Sequence, residues 1–286
     1  MLSGEGNDGP PALGQSEIKN QKSKIKNCSD FDLDRVLRDT FVRQVDFQLS
    51  VASTNDRGLE LAKVAGTRCP LLTIAEQQTA GRGRGGNQWW SAAGALTFSL
   101  VVDAERFRLT PHNRPQVSLT AGLAVCESLE ELLPAAHVGL KWPNDVLLDG
   151  RKVCGSLIEA PASEPDRLVI GIGINVNNSL ASAPVPLRHM ATSLVDAANR
   201  PFDRTDVLVA ILLQLEQGLE RLHRRPDDLV TRWRQYCVLR GRTVSLAVNE
   251  RQVVGNCEGI DGDGALVLKT GNGSKRYFSG VVTGIG

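Results

Sequence analysis

Residues 81–91 read Gly-Arg-Gly-Arg-Gly-Gly-Asn-Gln-Trp-Trp-Ser, with four glycines and two arginines in the first six positions. Glycine lets backbone N–H groups approach a ligand closely. The guanidinium fork suits carboxylate or phosphate. The segment therefore reads as a mobile loop that closes over a small anion. Gly/Arg tracts also form RNA-binding tails, but those are usually repetitive and terminal. This one is single and lies between the apolar runs 71–75 and 95–102, which read as buried strands.

Lys141-Trp142-Pro143-Asn144-Asp145 is the second unusual segment. Pro143 interrupts a strand-like run and forces an edge or a turn. A lysine neutralises phosphate and an aspartate holds Mg²⁺ through oxygen. The plainer alternative is a surface turn with an incidental Lys–Asp pair. Lys152 follows beyond Asp149-Gly150, and a hairpin at that turn brings it back beside the Asp145 strand. In Gly171-Ile172-Gly173-Ile174-Asn175, the glycines permit close approach, and a buried Asn175 needs partners that a ligand could supply. Ser53, Thr54 and Asn55 are N-cap types ahead of helical spacing. They either cap a helix or line a helix N-terminus that faces a ligand. Neither a strand–GxGxxG–helix unit nor a GxxxxGK[ST] loop is present.

The elements that must position these residues follow from pattern and composition. The 286 residues suffice for one large domain, or one large and one small. Hydrophobic content of 41% and charged content of 23% are ordinary for a soluble globular protein. A net charge of +1 supplies no basic field for nucleic acid. No apolar stretch approaches the roughly 20 residues that span a bilayer. Residues 1–29 lack the apolar core of a secretory signal and read as a disordered tail. The six cysteines form no CxxC pair and the four histidines no ligand pattern, which argues against a zinc site or disulfide scaffold and fits a reducing cytoplasm. Cys154 reads as a small buried residue. A long amphipathic helix is expected over 115–133, β-type runs over 138–159 and 167–176, and helices over 205–223 and 226–237. Short strands at 243–248, 252–258, 265–269 and 275–278, with glycine-rich turns between them, read as a small β-barrel. The fold class is α+β, with a boundary near Cys237.

Taken in order, these segments resemble the bacterial biotin–protein ligases over about residues 46–286. The match comprises Ser53-Thr54-Asn55, Gln78 ahead of Gly81-Arg82-Gly83-Arg84-x-Gly86-x-x-Trp89-x-Ser91, Lys141–Asp145, Lys152-x-x-Gly155-x-x-x-Glu159 and Gly171-x-Gly-Ile-Asn175. The resemblance implies a mixed-sheet catalytic domain over 30–237 and an SH3-like β-barrel over 238–286. It implies ATP-dependent biotinylation of one lysine on a biotin carboxyl carrier protein, of acetyl-CoA carboxylase or another biotin-dependent carboxylase, through biotinyl-5′-AMP. ATP and Mg²⁺ are the expected cofactors and biotin a substrate.

By family position, Ser53, Thr54, Asn55, Gln78, Arg82, Gly83, Arg84, Lys152 and Gly155 bind biotin. Arg84, Trp89, Lys141, Asn144, Lys152 and Asn175 bind the nucleotide. Lys152, Arg82, Arg84 and Asp145 are catalytic, with Asp145 in the Mg²⁺ region. A homodimer is also implied. Only about 45 residues precede the match and show no helix-turn-helix pattern, so the short, non-repressor form without DNA binding is expected. Gly85 and Asn87 stand where relatives often carry further basic residues, which predicts looser retention of the adenylate. The rival readings are a lipoate or octanoate ligase of the same fold and a non-catalytic biotin-binding module. The Arg-Arg-x-Ser-Gly-Gly-Gly loop typical of the first is absent, and the presence of Lys152, Arg82 and Arg84 speaks against the second.

Overall fold

The computed structural model describes residues 30–249 and 251–286. The expected tail over 1–29 lies outside them. A short helix α1 (Leu33–Asp39) leads into β1 (Gln44–Val51), α2 (Thr54–Leu61), β2 (Leu71–Gln78), β3 (Leu96–Asp103) and the long α3 (Arg114–Leu132). Four strands follow, β4 (Val138–Lys141), β5 (Asp145–Leu148), β6 (Arg151–Glu159) and β7 (Arg167–Ile174). Helices α4 (Val185–Met190), α5 (Leu194–Ala198), α6 (Arg204–Arg224) and α7 (Pro226–Tyr236) then lead to β8 (Thr243–Val248), β9 (Arg251–Ile260), β10 (Leu266–Thr270), β11 (Gly273–Tyr277) and β12 (Val281–Ile285).

The first seven strands form one mixed sheet, ordered β1-β2-β3-β7-β6-β5-β4. Only β1 and β2 run parallel, joined through α2. Strand alternation divides the side chains between two faces. Phe98, Leu100, Ile170, Ile172 and Ile174 point into the main core, shared with Leu119, Leu123 and Leu129 of α3 and Leu208, Leu212 and Leu215 of α6. The alternate positions Leu71, Val101 and Val169 pack under Ala62 on the α2 side. Further along that second face the side chains become small or polar, at Ser99, Gly171 and Gly173. The sheet thus has an apolar face everywhere and, opposite it, a face that leaves room for a site.

The four helices and the strands expected from periodicity are present with small shifts at their ends. Asp203 accepts from the N–H groups of Thr205 and Asp206, which sets the start of α6. The expected small barrel is, among the described residues, an open five-stranded antiparallel sheet ordered β11-β10-β9-β8-β12. Turn spacing counts strands but does not tell whether edge strands meet, and β11 and β12 do not pair. The last of these strands, β12, is not among the four expected from sequence; its Val-Val-Thr-Gly-Ile run lies between two glycines.

Candidate active site

A cavity of about 440 Å³ opens over the small-residue face of the main sheet. Its floor is made by Gly155 on β6 and by Gly171 and Gly173 on β7, with Gly155 and Gly173 paired in register. Above each glycine sits one of the candidate site side chains. A Cβ at Gly171 would overlap Asn55 Oδ1, and one at Gly173 would sit 2.5 Å from Trp89 Cε2. One at Gly155 would lie 3.2 Å from Lys152 Nζ. Ile170, Ile172 and Ile174, which alternate with the β7 glycines, face the core, so the strand's alternation supplies packing on one side and clearance on the other.

One end of the cavity is a polar recess at the N-terminus of α2. Ser53, the N-cap, makes no capping bond of its own. Gln78 at the end of β2 does that work, its Oε1 accepting from Thr54 N (2.7 Å) and Thr54 Oγ1 (3.2 Å). Ser53 is left on the cavity wall. Ser99 Oγ lies 2.9 Å from Thr54 Oγ1 and 2.7 Å from Asn55 Oδ1. Asn55 Nδ2 donates to Leu157 O (3.2 Å) and Glu159 Oε2 (2.8 Å). Such a buried, mutually oriented set of amides and hydroxyls discriminates a polar ring by leaving any mismatched donor or acceptor unpaired.

The glycine–arginine loop forms the wall above. Gly83 N donates to Asn87 O (2.7 Å) and Trp89 N to Gly81 O (2.9 Å), closing a small hairpin. Its tip holds Gly85 and Gly86 at φ 63° and 79°, a conformation that glycine adopts without steric cost. Beyond the tip, Trp89 lies on Gly173 with its indole N–H buried and without a partner among the described residues. Trp90 packs against Leu180, Ala183 and Ala191 and fastens the loop's far end.

The two arginines differ. Arg82 donates from Nη1 and Nη2 to both carboxylate oxygens of Glu159 (3.0 and 2.7 Å), and its Nη2 also meets Asp56 Oδ1 at 2.6 Å. These bonds raise its pKa further, chiefly the hydrogen bond with Glu159. Arg84 is half-buried, and its guanidinium has no hydrogen bond or ion pair among the described residues. Burial lowers its pKa, opposed by the field of Asp145.

The other end of the cavity is the tight turn between β4 and β5. Trp142 is fully buried and its Nε1 donates to Gly264 O in the turn between β9 and β10 (3.4 Å). Asn144 Nδ2 donates to Ser156 O (2.7 Å), which ties the turn to β6. As the hairpin reading required, Lys152 returns beside Asp145, with Nζ 2.5 Å from Oδ1. The same ammonium lies 5.9 Å from the Trp89 ring centre, within cation–π range. Lys141 is half-buried without an ionic partner among the described residues. Four cations, Arg82, Arg84, Lys141 and Lys152, therefore line the cavity against one carboxylate, Asp145. Among the described residues no three His, Cys, Asp or Glu side chains are grouped to hold a metal. A lone carboxylate still suits Mg²⁺, which binds through one or two carboxylates together with substrate phosphates.

The structure brings together all but one of the residues singled out in the sequence. Asn175 is not on the cavity wall. Its Nδ2 donates to Thr192 O (3.0 Å), its Oδ1 accepts from Asn178 Nδ2 (2.9 Å), and its N–H goes to Val153 O (2.9 Å). The partners a buried Asn requires come from the chain itself, so no ligand is needed to satisfy it. Sequence reasoning did not find Ser99, a serine inside an apolar strand, nor Asp56. Glu159 had been noted only as the last residue of a motif. Ala247, Asn249 and residues 279–282 of the C-terminal sheet also line the cavity. No local pattern could have placed them there, because their proximity to the site comes from docking of the two sheets.

Fold and site together define a ligand-binding α+β protein in which a buried polar recess opens into a cationic anion site. Residues 47–175 match the biotin/lipoate A/B protein ligase family, and residues 240–282 match the biotin protein ligase C terminal domain. The chain is 35% identical over 220 residues to the bifunctional ligase/repressor BirA of Bacillus subtilis, covering 73% of this chain and 64% of that one. It is 34% identical over 247 residues to the biotin–[acetyl-CoA-carboxylase] ligase of Mycobacterium tuberculosis, covering 83% of this chain and 90% of that one. The biotin protein ligase from Aquifex aeolicus in complex with biotin and ATP superposes with a TM-score of 0.73 at 30% identity, over 84% of this chain and 98% of that one. The chain belongs to the biotin/lipoate protein ligase family.

Proposed function

We propose that this protein is a biotin–protein ligase that joins biotin to a lysine of a biotin carboxyl carrier protein in two ATP-driven steps. The relatives named as biotin–[acetyl-CoA-carboxylase] ligases support the carrier of acetyl-CoA carboxylase as the partner. In the first step a biotin carboxylate oxygen attacks the α-phosphorus of ATP, the bond to the bridging oxygen breaks, and pyrophosphate leaves. In the second the carrier's lysine amine attacks the acyl carbon, AMP leaves with the bonding pair, and the amine gives up its proton.

The observation that carries this reading is the pairing of a closed polar recess with a row of cations, of which Arg84 and Lys141 have no ionic partner among the described residues and Lys152 is held by Asp145 alone. Ser53, Thr54, Asn55 and Gln78 offer the ureido ring a preset hydrogen-bond pattern. Its carboxylate then points along the glycine floor toward Arg84, Lys152 and Lys141. Bringing two anions together is the main cost of the first step, and preorganised cations lower it. Lys152 sits where both half-reactions develop charge. Asp145 is the residue that would hold Mg²⁺, and the ion neutralises phosphate charge when bound. Trp89 and Asn144 border the nucleotide side, Gly83 and Gly155 the biotin side. The glycine loop shields an acyl-adenylate from water until the carrier docks. A homodimer formed through the main sheet belongs to the same reading, as does a cytoplasmic site of action, where ATP and carrier meet. Among the described residues no helix is long and apolar enough to cross a membrane.

The test is pyrophosphate release from Mg-ATP with biotin, lipoate or octanoate as the acid. Biotin-dependent release that is lost in Lys152→Ala supports the reading. Release with lipoate or octanoate alone assigns the chain to the lipoate branch, and silence with all three assigns it a binding role.

A further inference from the structure

Glu159 makes more bonds than its place at the end of β6 requires. One carboxylate accepts two parallel bonds from Arg82 on the loop and a third from the Asn55 amide in the recess. Its side chain is 27% exposed, and Asn55 is 4% exposed. Asp56, the residue after Asn55, meets the same arginine at the Nη2 that also reaches Glu159. Arg82, Glu159 and Asp56 together carry a net negative charge, so an incoming carboxylate or phosphate is not drawn to Arg82. Arg84 and Lys141, which have no ionic partner among the described residues, attract it instead. A bidentate guanidinium–carboxylate pair is directional, so it sets a position as well as an energy.

Building on the ligase reading, we propose that Glu159 is a positioning residue that latches the glycine–arginine loop to the recess. Through one carboxylate it fixes both the closed position of the loop and the orientation of the Asn55 amide. Arg82 serves this latch rather than the ligand's charge, and Arg84 is the arginine that meets the anion. Entry and exit of ligand then require the Arg82–Glu159 tie to open. Because Asn55 shares that carboxylate, a ligand ring that engages Asn55 acts directly on the tie.

The experiment uses the full chain and has two readouts. Trypsin cleavage of the Arg84–Gly85 bond in ligand-free protein reports the latch without any catalysis. Steady-state pyrophosphate release with biotin and Mg-ATP reports KM and kcat. Glu159→Gln should raise the cleavage rate at least tenfold and raise KM for biotin at least tenfold, with a smaller fall in kcat. Arg82→Gln should do the same, and the double variant should be no worse than either single one. Arg84→Gln should instead lower kcat without raising KM for biotin comparably. If Glu159→Gln impairs folding, Asp56→Asn, at the more exposed end of the latch, should loosen the loop in the same direction to a lesser degree. Unchanged cleavage in both Glu159→Gln and Asp56→Asn overturns the proposal, as does a double variant whose effects multiply. Absence of biotin-dependent release in the unaltered protein would sink the ligase reading, while the cleavage series would still decide the latch.

Discussion

At the residue scale, Arg82 and Arg84 stand two positions apart in one motif yet have opposite surroundings. Arg82 is saturated by two carboxylates, whereas Arg84 has none within bonding distance among the described residues. Replacing Arg84 or Lys152 with alanine removes a preorganised cation, and each change should cost about 10²–10³ in the rate of biotin-dependent pyrophosphate release. The glycine floor makes a second prediction. Gly171→Ala places a methyl group against Asn55 Oδ1. A backbone-anchored Cβ cannot move away, so Asn55 must, and KM for biotin should rise at least tenfold while the circular dichroism spectrum stays that of the folded protein. Gly85 and Asn87 bring no charge to the loop tip. The adenylate should therefore escape faster than from relatives with basic residues there, measured as its half-life on the enzyme without carrier.

At the element scale, the site depends on where strands and helices end more than on their interiors. The N-terminus of α2 is capped from β2 by Gln78, so its own Ser53 remains on the cavity wall. The β4–β5 turn is held by buried Trp142 and by Asn144, which donates to Ser156 O on β6. Helix α6, which backs the core remote from the cavity, gives a contrast. Asp203→Ala removes its side-chain cap and should cost about 1 kcal/mol, read from the midpoint of urea unfolding. KM for biotin should not change, and a large rise would mean that the core and the site are coupled through α6. Of these features, the long helices and the Asp149-Gly150 hairpin were legible from periodicity and turn chemistry. The capping of α2 by Gln78 was not, because it joins residues 24 apart in sequence through the sheet.

At the scale of the whole molecule, Glu159 links the loop, α2 and the main sheet, and it titrates. Burial works to raise its pKa, but the hydrogen bonds from Arg82 and Asn55 outweigh this and hold it below its ordinary value of 4.5. A carboxyl lowered in the folded state contributes stability that is fully present above the unfolded value and is lost as pH falls through the folded one. The Tm difference between the unaltered protein and Glu159→Gln should be present at about pH 7 and shrink steadily below about pH 4.5. A difference that persists at about pH 3 would show that the carboxylate's charge is not what stabilises. The C-terminal sheet adds a wall to the cavity through Asn249 and Val281, and its Gly264 carbonyl receives the Trp142 indole N–H. The site therefore needs both sheets.

What the sequence determined by itself was the chemistry available and the local frame for it. Glycine spacing in β7, the proline-bent turn and the Asp-Gly hairpin are short-range facts, each set by backbone sterics within a few residues. They placed Lys152 beside Asp145 and Trp89 within the loop. Tertiary structure alone decided which charges are neutralised and which are left for a ligand. Arg82 meets Glu159 across 77 positions, Asn55 meets it across 104, and Asn175 turns inward to Thr192 and Asn178. Electrostatic partnership depends on distance in space, and a residue's type and spacing do not report that distance until the strands are paired.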